Sequence, residues 1–391
     1  MRVDTSNAES GVSRACFACE KAQYVGIDLE FTGFLSHQGI RSTQAEERFA
    51  ALREVASNTG VLQIGFSFGR FAPDEQCNGF TFAVFTFQLK PTGVFSASAD
   101  SLTFLAEHGF DLNATFLRGI PYGDGESHVL DPLFHKIREK KLPVAVHNGL
   151  FDLLLILSLF GSGTPAVPLT LQAFLVKLKT FFPLVFDTKY LSKTLFHEEF
   201  TFLSYLTLKS VRAEALNWYE VLHESVWLVG KREMDEVVSS LKNIATSPAV
   251  DDVTPKWLCN SFSQYGFCGK GTQCPKSHSL LAALLHHEGA SHKKHEKKAL
   301  KRKQEDTIPF VRPPVESRSP LQEFIETGAH DAGADAFCTS LLFCILRNKV
   351  REDKLESCAN KLVLLGHRTP LDSEHVSKFA KLDRSHIAYY K

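Results

Sequence analysis

The chain has no excess of charge of either sign, because its 391 residues include 44 acidic and 44 basic side chains. A net charge of zero excludes a uniformly basic coat of the kind that binds nucleic acid over a whole surface. Any positive surface must therefore be local and must come from short segments of the sequence.

Features of membrane and secreted proteins are also missing. The longest apolar run, from Leu153 to Phe160, is far too short to cross a bilayer, and residues 1–21 lack the apolar core of a secretory signal. The nine cysteines are an odd number, which argues against a disulfide framework and favours a reducing compartment. We therefore expect a soluble intracellular protein that does not contact a membrane.

The apolar pattern predicts an α/β fold. Three β-rich runs, at residues 24–29, 60–68 and 80–89, are followed by two strand–helix units at residues 142–161 and 181–195. In the third run the apolar parity shifts, which indicates either a bulge or a strand covered on both faces. This order is typical of a ribonuclease H-like, mixed five-stranded sheet flanked by helices.

Two carboxylates in the first strand predict a metal site. Asp28 and Glu30 stand two residues apart in YVGIDLEFTGF, so a strand places both on one face. Two like charges at close range are costly unless a cation joins them, and Mg²⁺ or Mn²⁺ prefers such hard oxygen ligands.

Three further residues complete the predicted site. Asp152 falls in the first turn of the helix in VAVHNGLFDLLLIL, and in ETGAHDAGADAF we place His330 just outside a helix and Asp335 within its first turns. Two cations about 4 Å apart, held by the four carboxylates, would clamp the attacking and leaving oxygens of an in-line displacement. His330 would take the proton from the attacking water, because the unperturbed pKa of histidine lies near neutrality.

Each residue alone has a simpler structural explanation. Asp152 could complement the dipole of a helix N-terminus, and His330 could be a surface residue in a turn rich in glycine and alanine. A lone Asp-x-Glu pair is also common. The right residue types, in order and each on the expected element, favour the metal site.

These stretches resemble the exonuclease motifs of the DEDD superfamily, and the His-x4-Asp spacing is that of its histidine-bearing branch. Within that branch, LAEHGFDLN, GIPYG, VAVHNGLFDL and FDTKY are similar to the deadenylases related to poly(A)-specific ribonuclease. The resemblance covers nearly all of the chain beyond residue 20. It implies a Mg²⁺-dependent 3′-to-5′ exoribonuclease that trims 3′ adenosine tails from RNA and releases 5′-AMP. Ser340 departs from the family pattern, which has glycine there, and this concerns packing more than chemistry.

A second metal pattern is Cys259-x8-Cys268-x5-Cys274-x3-His278. Three thiolates and one imidazole fill a tetrahedral Zn²⁺ shell and leave no open position, so we predict a structural zinc. The spacing resembles that of CCCH fingers that bind single-stranded RNA. A subgroup of the deadenylases carries such a finger before its His-x4-Asp motif, and this resemblance implies 3′-end processing of small nuclear RNAs. It also implies nuclear RNA-processing factors as partners and a location in the nucleolus, Cajal bodies or nuclear speckles.

Aromatic residues of the finger are candidates for contact with RNA. Phe262, Tyr265 and Phe267 lie beside lysines, and aromatic faces stack bases while lysines hold phosphates. The alternative is that these rings form the small core that such a finger needs. Phe31, next to the first carboxylate pair, is a further candidate for stacking the terminal base. Asp187 in FDTKY is interpreted as structural rather than catalytic.

The segment Lys293–Lys303 holds seven basic side chains in eleven positions. Such a cluster indicates nuclear import, nucleic-acid contact or both, and the alternative is a solvated linker. The predicted organisation is a flexible tail at 1–20, the first part of a nuclease domain at 21–250, a CCCH zinc finger at 251–284, a basic and proline-rich linker at 285–319, and the second part of the nuclease domain at 320–391.

Two other functions stay open at this point. The chain could be an RNA-binding adaptor on a catalytically silent nuclease fold, although a silent relative should lack at least one of the five residues. It could also be a DNA exonuclease of the same superfamily, since recognition of the 2′-hydroxyl cannot be deduced from these motifs.

Overall fold

The computed structural model describes residues 1–33, 38–42, 44–73, 78–123, 128–161, 167–213, 221–223, 226–229, 257–287, 330–363 and 371–372. Within them the strands are β1 (Arg2–Val3), β2 (Tyr24–Phe31), β3 (Val61–Pro73), β4 (Asn78–Pro91), β5 (Ile120–Tyr122), β6 (Val144–Val146), β7 (Val185–Asp187), β8 (Val221–His223), β9 (Val226–Val229), β10 (Lys361–Leu362) and β11 (Leu371–Asp372). The α-helices are α1 (Ala8–Lys21), α2 (Ala45–Asn58), α3 (Ala99–Glu107), α4 (Leu112–Arg118), α5 (Asp131–Glu139), α6 (Leu150–Phe160), α7 (Leu171–Phe181), α8 (Thr188–Leu195), α9 (Leu203–Ala213), α10 (Asn260–Tyr265), α11 (280–287), α12 (Ala332–Asn348) and α13 (Glu352–Glu356). Short 3-10 turns lie at Gln38–Arg41 and Gly271–Gln273.

One sheet runs through the molecule in the order β7-β6-β2-β3-β4-β9-β8, and β1 and β5 also pair with β4. Strands β2, β3 and β4 are antiparallel, whereas β6 and β7 run parallel to β2. The mixed sheet flanked by helices is therefore confirmed, but the count of five strands is wrong. The four additional strands have only two to four residues each, which is too short for an alternating pattern to show in the sequence.

Strand β4 is buried on both faces. Phe82 belongs to the apolar core that includes α12, whereas Phe85 and Phe87 belong to the core on the opposite face of the sheet. Pairing with β3 continues without a shift in register. The parity change in this run therefore reflects a strand covered on both faces, not a bulge.

The prediction of a loose tail at residues 1–20 is wrong. β1 pairs with β4, and α1 buries Val12, Ala15 and Cys19 on one face. Their spacing of three and four residues is helical, but two of the three side chains are small. The apolar stripe is therefore weak among the polar residues around it, which explains why the sequence did not indicate a helix.

Helix α12 lies close to the sheet because Gly26 and Gly65, the residues under it, have no side chains. A Cβ on Gly26 would come within 2.5 Å of the Ala336 carbonyl oxygen, which is far too close for a real contact. Ser340 occupies the position where the family pattern has glycine. It is buried, and its hydroxyl donates a 3.1 Å hydrogen bond to the Ser67 carbonyl, so the polar group is satisfied.

Several predicted features lie outside the described residues. They are the basic cluster at 293–303 and the proline-rich segment that follows it. The predicted boundary between finger and linker at residue 284 falls inside α11, so it does not mark a change of structure. None of the described helices is long and apolar enough to cross a membrane.

Candidate active site

The carboxyl ends of three parallel strands meet at one edge of the sheet. β2 is parallel to β6, and β6 is parallel to β7, so residues that end or follow these strands lie near one another. Asp28 and Glu30 lie among the last four residues of strand β2 and share one face of it.

Asp152 reaches this edge through a tight turn between β6 and α6. Asn148 adopts a left-handed backbone with φ of 58°, and a Cβ on Gly149 would come within 2.5 Å of the Val146 Cβ. The turn places Asp152 in the first turn of α6. Burial raises the pKa of Asp152 to about 7, although backbone N–H groups, including that of Leu29, act in the opposite direction.

His330 and Asp335 lie at the start of α12, as their spacing predicted. The helix begins at Ala332, so His330 is just outside it and Asp335 is in its first turn. His330 has a φ of 69°, and its backbone N–H donates a 2.9 Å hydrogen bond to Asp335 Oδ2. That bond ties the histidine to the carboxylate.

The electrostatics show that the four carboxylates converge. Burial raises the pKa of Asp28 well above its usual value, and the charges of Asp335, Asp152 and Glu30 raise it further. Burial and the charge of Asp335, followed by that of Asp152, likewise raise the pKa of Glu30. Burial raises the pKa of Asp335 to about 7. Negative charges therefore repel one another in a half-buried site.

These residues fit divalent cations. Glu30, His330 and Asp335 each place one ligand atom within 4.8 Å of the others. Carboxylate oxygens in a buried, mutually repelling group are hard ligands whose repulsion a cation would relieve. The donor set is thus the one expected for Mg²⁺ or Mn²⁺.

The ring of His330 is held by aromatic neighbours on α3. Its centroid lies 4.4 Å from that of Phe104 and 4.8 Å from that of His108, both with edge-on geometry. Burial, and to a smaller extent His108, lowers the pKa of His330 to about 4. The imidazole is therefore neutral at pH 7 and can accept a proton.

Asp331 is a polar residue of this site that the sequence interpretation missed. It caps α12 by accepting hydrogen bonds from the N–H groups of Gly333 and Ala334, and it pairs with Arg2 at 3.0 Å. Its charge also raises the pKa values of Asp28 and Glu30. The signal was present, because an aspartate directly before a helix is a common N-cap.

Asp187 is a structural acceptor, as interpreted from the sequence. Its Oδ1 accepts hydrogen bonds from the N–H groups of Asn148 and Lys189, both at 3.0 Å, and its Oδ2 accepts one from Val363 at 3.0 Å. The carboxylate therefore joins the turn after β6, the start of α8 and the strand region near the C-terminus.

A second cluster contains Cys259, Cys268, Cys274 and His278. Their sulfur and nitrogen ligand atoms all lie within 4.8 Å of one another, and the cysteines are free thiols. His278 Nε2 is buried and has no hydrogen-bond partner among the described residues, as expected for a nitrogen that binds a metal. These four residues could hold a tetrahedral Zn²⁺.

The aromatic residues of this cluster differ in their surroundings. Phe262 stacks on His278 with a centroid distance of 5.0 Å and contacts Phe202, so it belongs to the small core of the segment. Tyr265 and Phe267 remain 43% and 45% exposed. At the acidic site, Phe31 forms an edge-on contact of 5.2 Å with Phe151.

A family model described as CAF1 family ribonuclease matches residues 3–131 and 125–343. The chain belongs to the CAF1 ribonuclease family. The match includes all five residues of the acidic site and the cysteine cluster between them.

Individual relatives match shorter stretches. The poly(A)-specific ribonuclease PARN of Danio rerio is 29% identical over 133 residues, which cover 31% of this chain and 20% of that protein. The poly(A)-specific ribonuclease PNLDC1 of Mus musculus is 33% identical over 141 residues, which cover 33% and 24%. The chain thus spans about a fifth to a quarter of the length of these curated relatives. A solved structure of S. pombe Pop2p with bound Mg²⁺ and Mn²⁺ aligns with 93% of this chain and 98% of that chain, at 12% identity and a TM-score of 0.49.

Proposed function

We propose that this protein is a metal-dependent 3′-to-5′ exoribonuclease that trims 3′ oligo(A) or poly(A) tails and releases 5′-AMP. The observation that carries this proposal is the convergence of Asp28, Glu30, Asp152 and Asp335 with a neutral His330 at one edge of the sheet. Two relatives within the family are named poly(A)-specific ribonucleases, which supports adenosine tails as the substrate.

The chemistry follows from the groups present. Bound Mg²⁺ ions would supply positive charge to the attacking water and to the oxygens of the scissile phosphate. The His330 imidazole lies within 4.8 Å of the carboxylate oxygens of Glu30 and Asp335 and, unprotonated at pH 7, can take a proton from that water. The hydrogen bond from the His330 N–H to Asp335 fixes the backbone that carries the imidazole.

The first experiment compares carboxylate variants on matched substrates. We expect Asp28→Asn and Asp335→Asn to lower the rate of removal of 3′ adenosines from RNA by about 10³-fold, because each removes a buried charge from the predicted metal site. Asp353→Asn changes an exposed carboxylate and serves as the control. Wild-type hydrolysis by either site variant would show that the assigned site is wrong.

Substrate choice separates the remaining alternatives. The wild-type protein, with Mg²⁺, is given RNA and DNA of the same sequence, each ending in ten adenosines, and RNA ending in ten uridines. We expect the adenosine-tailed RNA to be shortened fastest. Equal shortening of the DNA would favour a DNA exonuclease, and binding of the RNA without hydrolysis would favour a silent adaptor.

The cysteine cluster belongs to the same proposal as a structural Zn²⁺ finger that holds RNA. Its four ligand atoms lie close together, and Tyr265 and Phe267 expose rings on which bases can stack. Lys270 and Lys276 of the same segment are exposed and can contact phosphates.

The finger also supports a finer assignment. Among deadenylases, the nuclear type called target of early growth response carries a CCCH finger before its His-x4-Asp motif. We propose that this chain is of that type, acts in 3′-end processing of small nuclear RNAs and works in the nucleus. Localisation of the protein in cells tests the nuclear part of this proposal. The protein is compared with a variant in which the lysines at 293–303 are replaced by alanine.

A further inference from the structure

The CCCH segment and the acidic site contact the same side chain. Phe104 of α3 forms an edge-on ring contact with Phe267 of the finger, with centroids 5.6 Å apart. The same ring contacts His330 at 4.4 Å with an interplanar angle of 73°. A single aromatic ring therefore connects the finger to the predicted catalytic histidine.

The finger has a second contact with α3. A Cβ on Gly271 would come within 2.6 Å of Glu107 Oε2, so the short turn Gly271–Gln273 lies directly against the end of the helix. Gly271 also has a φ of 47°, a backbone conformation that favours glycine. Two points of the finger thus contact the last turn of α3, one at Phe104 and one at Glu107.

The finger is supported from another side as well. A Cβ on Gly266 would come within 2.6 Å of the ring of Phe202, and Phe262 contacts the same ring at 6.3 Å. Phe202 precedes α9, which belongs to the core of the nuclease fold. The finger is therefore fixed between α3 and this segment.

Helix α3 is held at its N-terminal end by the chain after β2, because the Ser98 N–H donates a 2.9 Å hydrogen bond to the Thr32 carbonyl and Gly33 lies directly against Ser101. It has nine residues, and Leu105 is its buried residue, in a small cluster with Leu62 and Phe110. A short helix with little buried surface depends on its remaining contacts for its position. The contacts with the finger fall at the other end of the helix, on Phe104 and Glu107, directly before His108.

We propose that the CCCH finger is a wall of the catalytic site, and that Phe267 and Phe104 are positioning residues which hold the His330 imidazole in its reactive orientation. This proposal rests on the proposed function, in which His330 accepts a proton. It differs from a finger that only holds RNA, because loss of Phe267 would then lower kcat, even on a dinucleotide, and not only raise KM. A displacement of about 1 Å at a reacting group can cost about 10²-fold in rate.

Kinetics on two substrates test this positioning role. The variants are Phe267→Ala, Phe267→Tyr and the control Phe116→Ala. The control removes a phenylalanine of α4 that is similarly exposed (43%) and stacks on the ring of Phe95. Each is assayed on a long adenosine-tailed RNA and on the dinucleotide ApA. We expect Phe267→Ala to lower kcat about tenfold on both substrates, Phe267→Tyr to restore it, and Phe116→Ala to leave it unchanged. An unchanged kcat of Phe267→Ala on ApA would overturn the proposal.

Chemical modification reports the accessibility of His330 without a measurement of activity. Diethyl pyrocarbonate modifies accessible neutral imidazoles, and mass spectrometry gives the rate at His330 in Mg²⁺-free buffer. We expect Phe267→Ala to raise that rate severalfold, whereas the rate at exposed His135 on α5 stays constant. An unchanged rate at His330 contradicts the proposed contact.

The two experiments also separate this proposal from the proposed function. If the wild-type protein hydrolyses neither substrate, the proposed function fails, and the modification rate still decides whether the finger shields His330. If the wild-type protein is active and His330→Ala is equally active, the role of His330 fails and with it the positioning role.

Discussion

The main chain of Ala332 lies directly against Gly65. A Cβ on Gly65 would come within 1.8 Å of the Ala332 carbonyl oxygen and 2.1 Å of its carbonyl carbon. Strand β3 and the start of α12 therefore meet backbone to backbone. Because His330 and Asp335 flank this point, their position relative to the β2 carboxylates depends on a residue without a side chain.

Gly65→Ala is expected to abolish most of the activity. The added methyl group must push the start of α12 away from the sheet, which moves His330 and Asp335 and overpacks the core at a cost of about 1–3 kcal/mol. Thermal unfolding and the rate of adenosine removal measure both effects. Gly269→Ala is the control, because nothing lies within 4 Å of the Cβ position there. A Gly65→Ala protein with normal rate and stability would show that this close approach does not exist.

Gln63→Leu is expected to destabilise the same junction. Gln63 Oε1 accepts a 3.2 Å hydrogen bond from the Ala332 N–H, and its Nε2 donates to Gln88 Oε1 at 2.9 Å. Leucine leaves both buried partners unsatisfied, which costs about 1–3 kcal/mol for each group. Denaturant unfolding should show a loss of about 2–6 kcal/mol, with a lower kcat. A loss below about 0.5 kcal/mol, typical of surface substitutions, would argue against the hydrogen bonds.

Asp28→Asn and Asp187→Asn are expected to change stability in opposite directions in Mg²⁺-free buffer. Asp28 is repelled by neighbouring carboxylates, so its neutral replacement should stabilise the protein by about 1–3 kcal/mol. Asp187 accepts backbone N–H donors with both oxygens, and an amide NH₂ would face one of them. Asp187→Asn should therefore destabilise by about 1–3 kcal/mol. Thermal melts of both variants decide the point, and shifts of the same sign would contradict one assignment.

Stability of the Mg²⁺-free protein is expected to fall as the pH rises from 6.5 to 8.5. The pKa values of Asp152 and Asp335 are raised to about 7 in the folded protein, so the folded state binds more protons than the unfolded state and loses stability as these groups ionise. Buried His128 and His147, whose pKa values are lowered to about 4 and about 3, act in the opposite direction, but only up to about pH 7, where the unfolded imidazoles have lost their protons. Saturating Mg²⁺ should raise Tm more at pH 8.5 than at pH 6.5, because the cation binds ionised carboxylates.

The corresponding control is Asp28→Asn, in which both the slope of Tm with pH and the Mg²⁺ effect should shrink. A wild-type Tm that rises from pH 6.5 to 8.5 without Mg²⁺ would show that the carboxylates are not packed against one another.

Local patterns sufficed to place the acidic residues. Strand alternation puts Asp28 and Glu30 on one face, and the turn at Asn148 puts Asp152 in the first turn of α6. The sequence could not indicate that Phe104 joins Phe267 to His330, because three segments distant along the chain meet only through tertiary packing. The count of strands failed for a different reason, since strands of two to four residues acquire their structure from pairing with β4 and β9.

The protein is expected to contain one Zn²⁺ per chain, bound at the cluster of Cys259, Cys268, Cys274 and His278. Their ligand atoms lie within 4.8 Å of one another, and a closed tetrahedral site contributes directly to the folding of a small segment. Cys274→Ser should lose the zinc and make residues 257–287 sensitive to limited proteolysis, whereas Cys16→Ser on α1 should retain it. Metal analysis of the purified proteins gives the stoichiometry. Zinc retained in full by Cys274→Ser would place it elsewhere, and because Phe267 belongs to this segment, zinc loss should also raise the modification rate at His330.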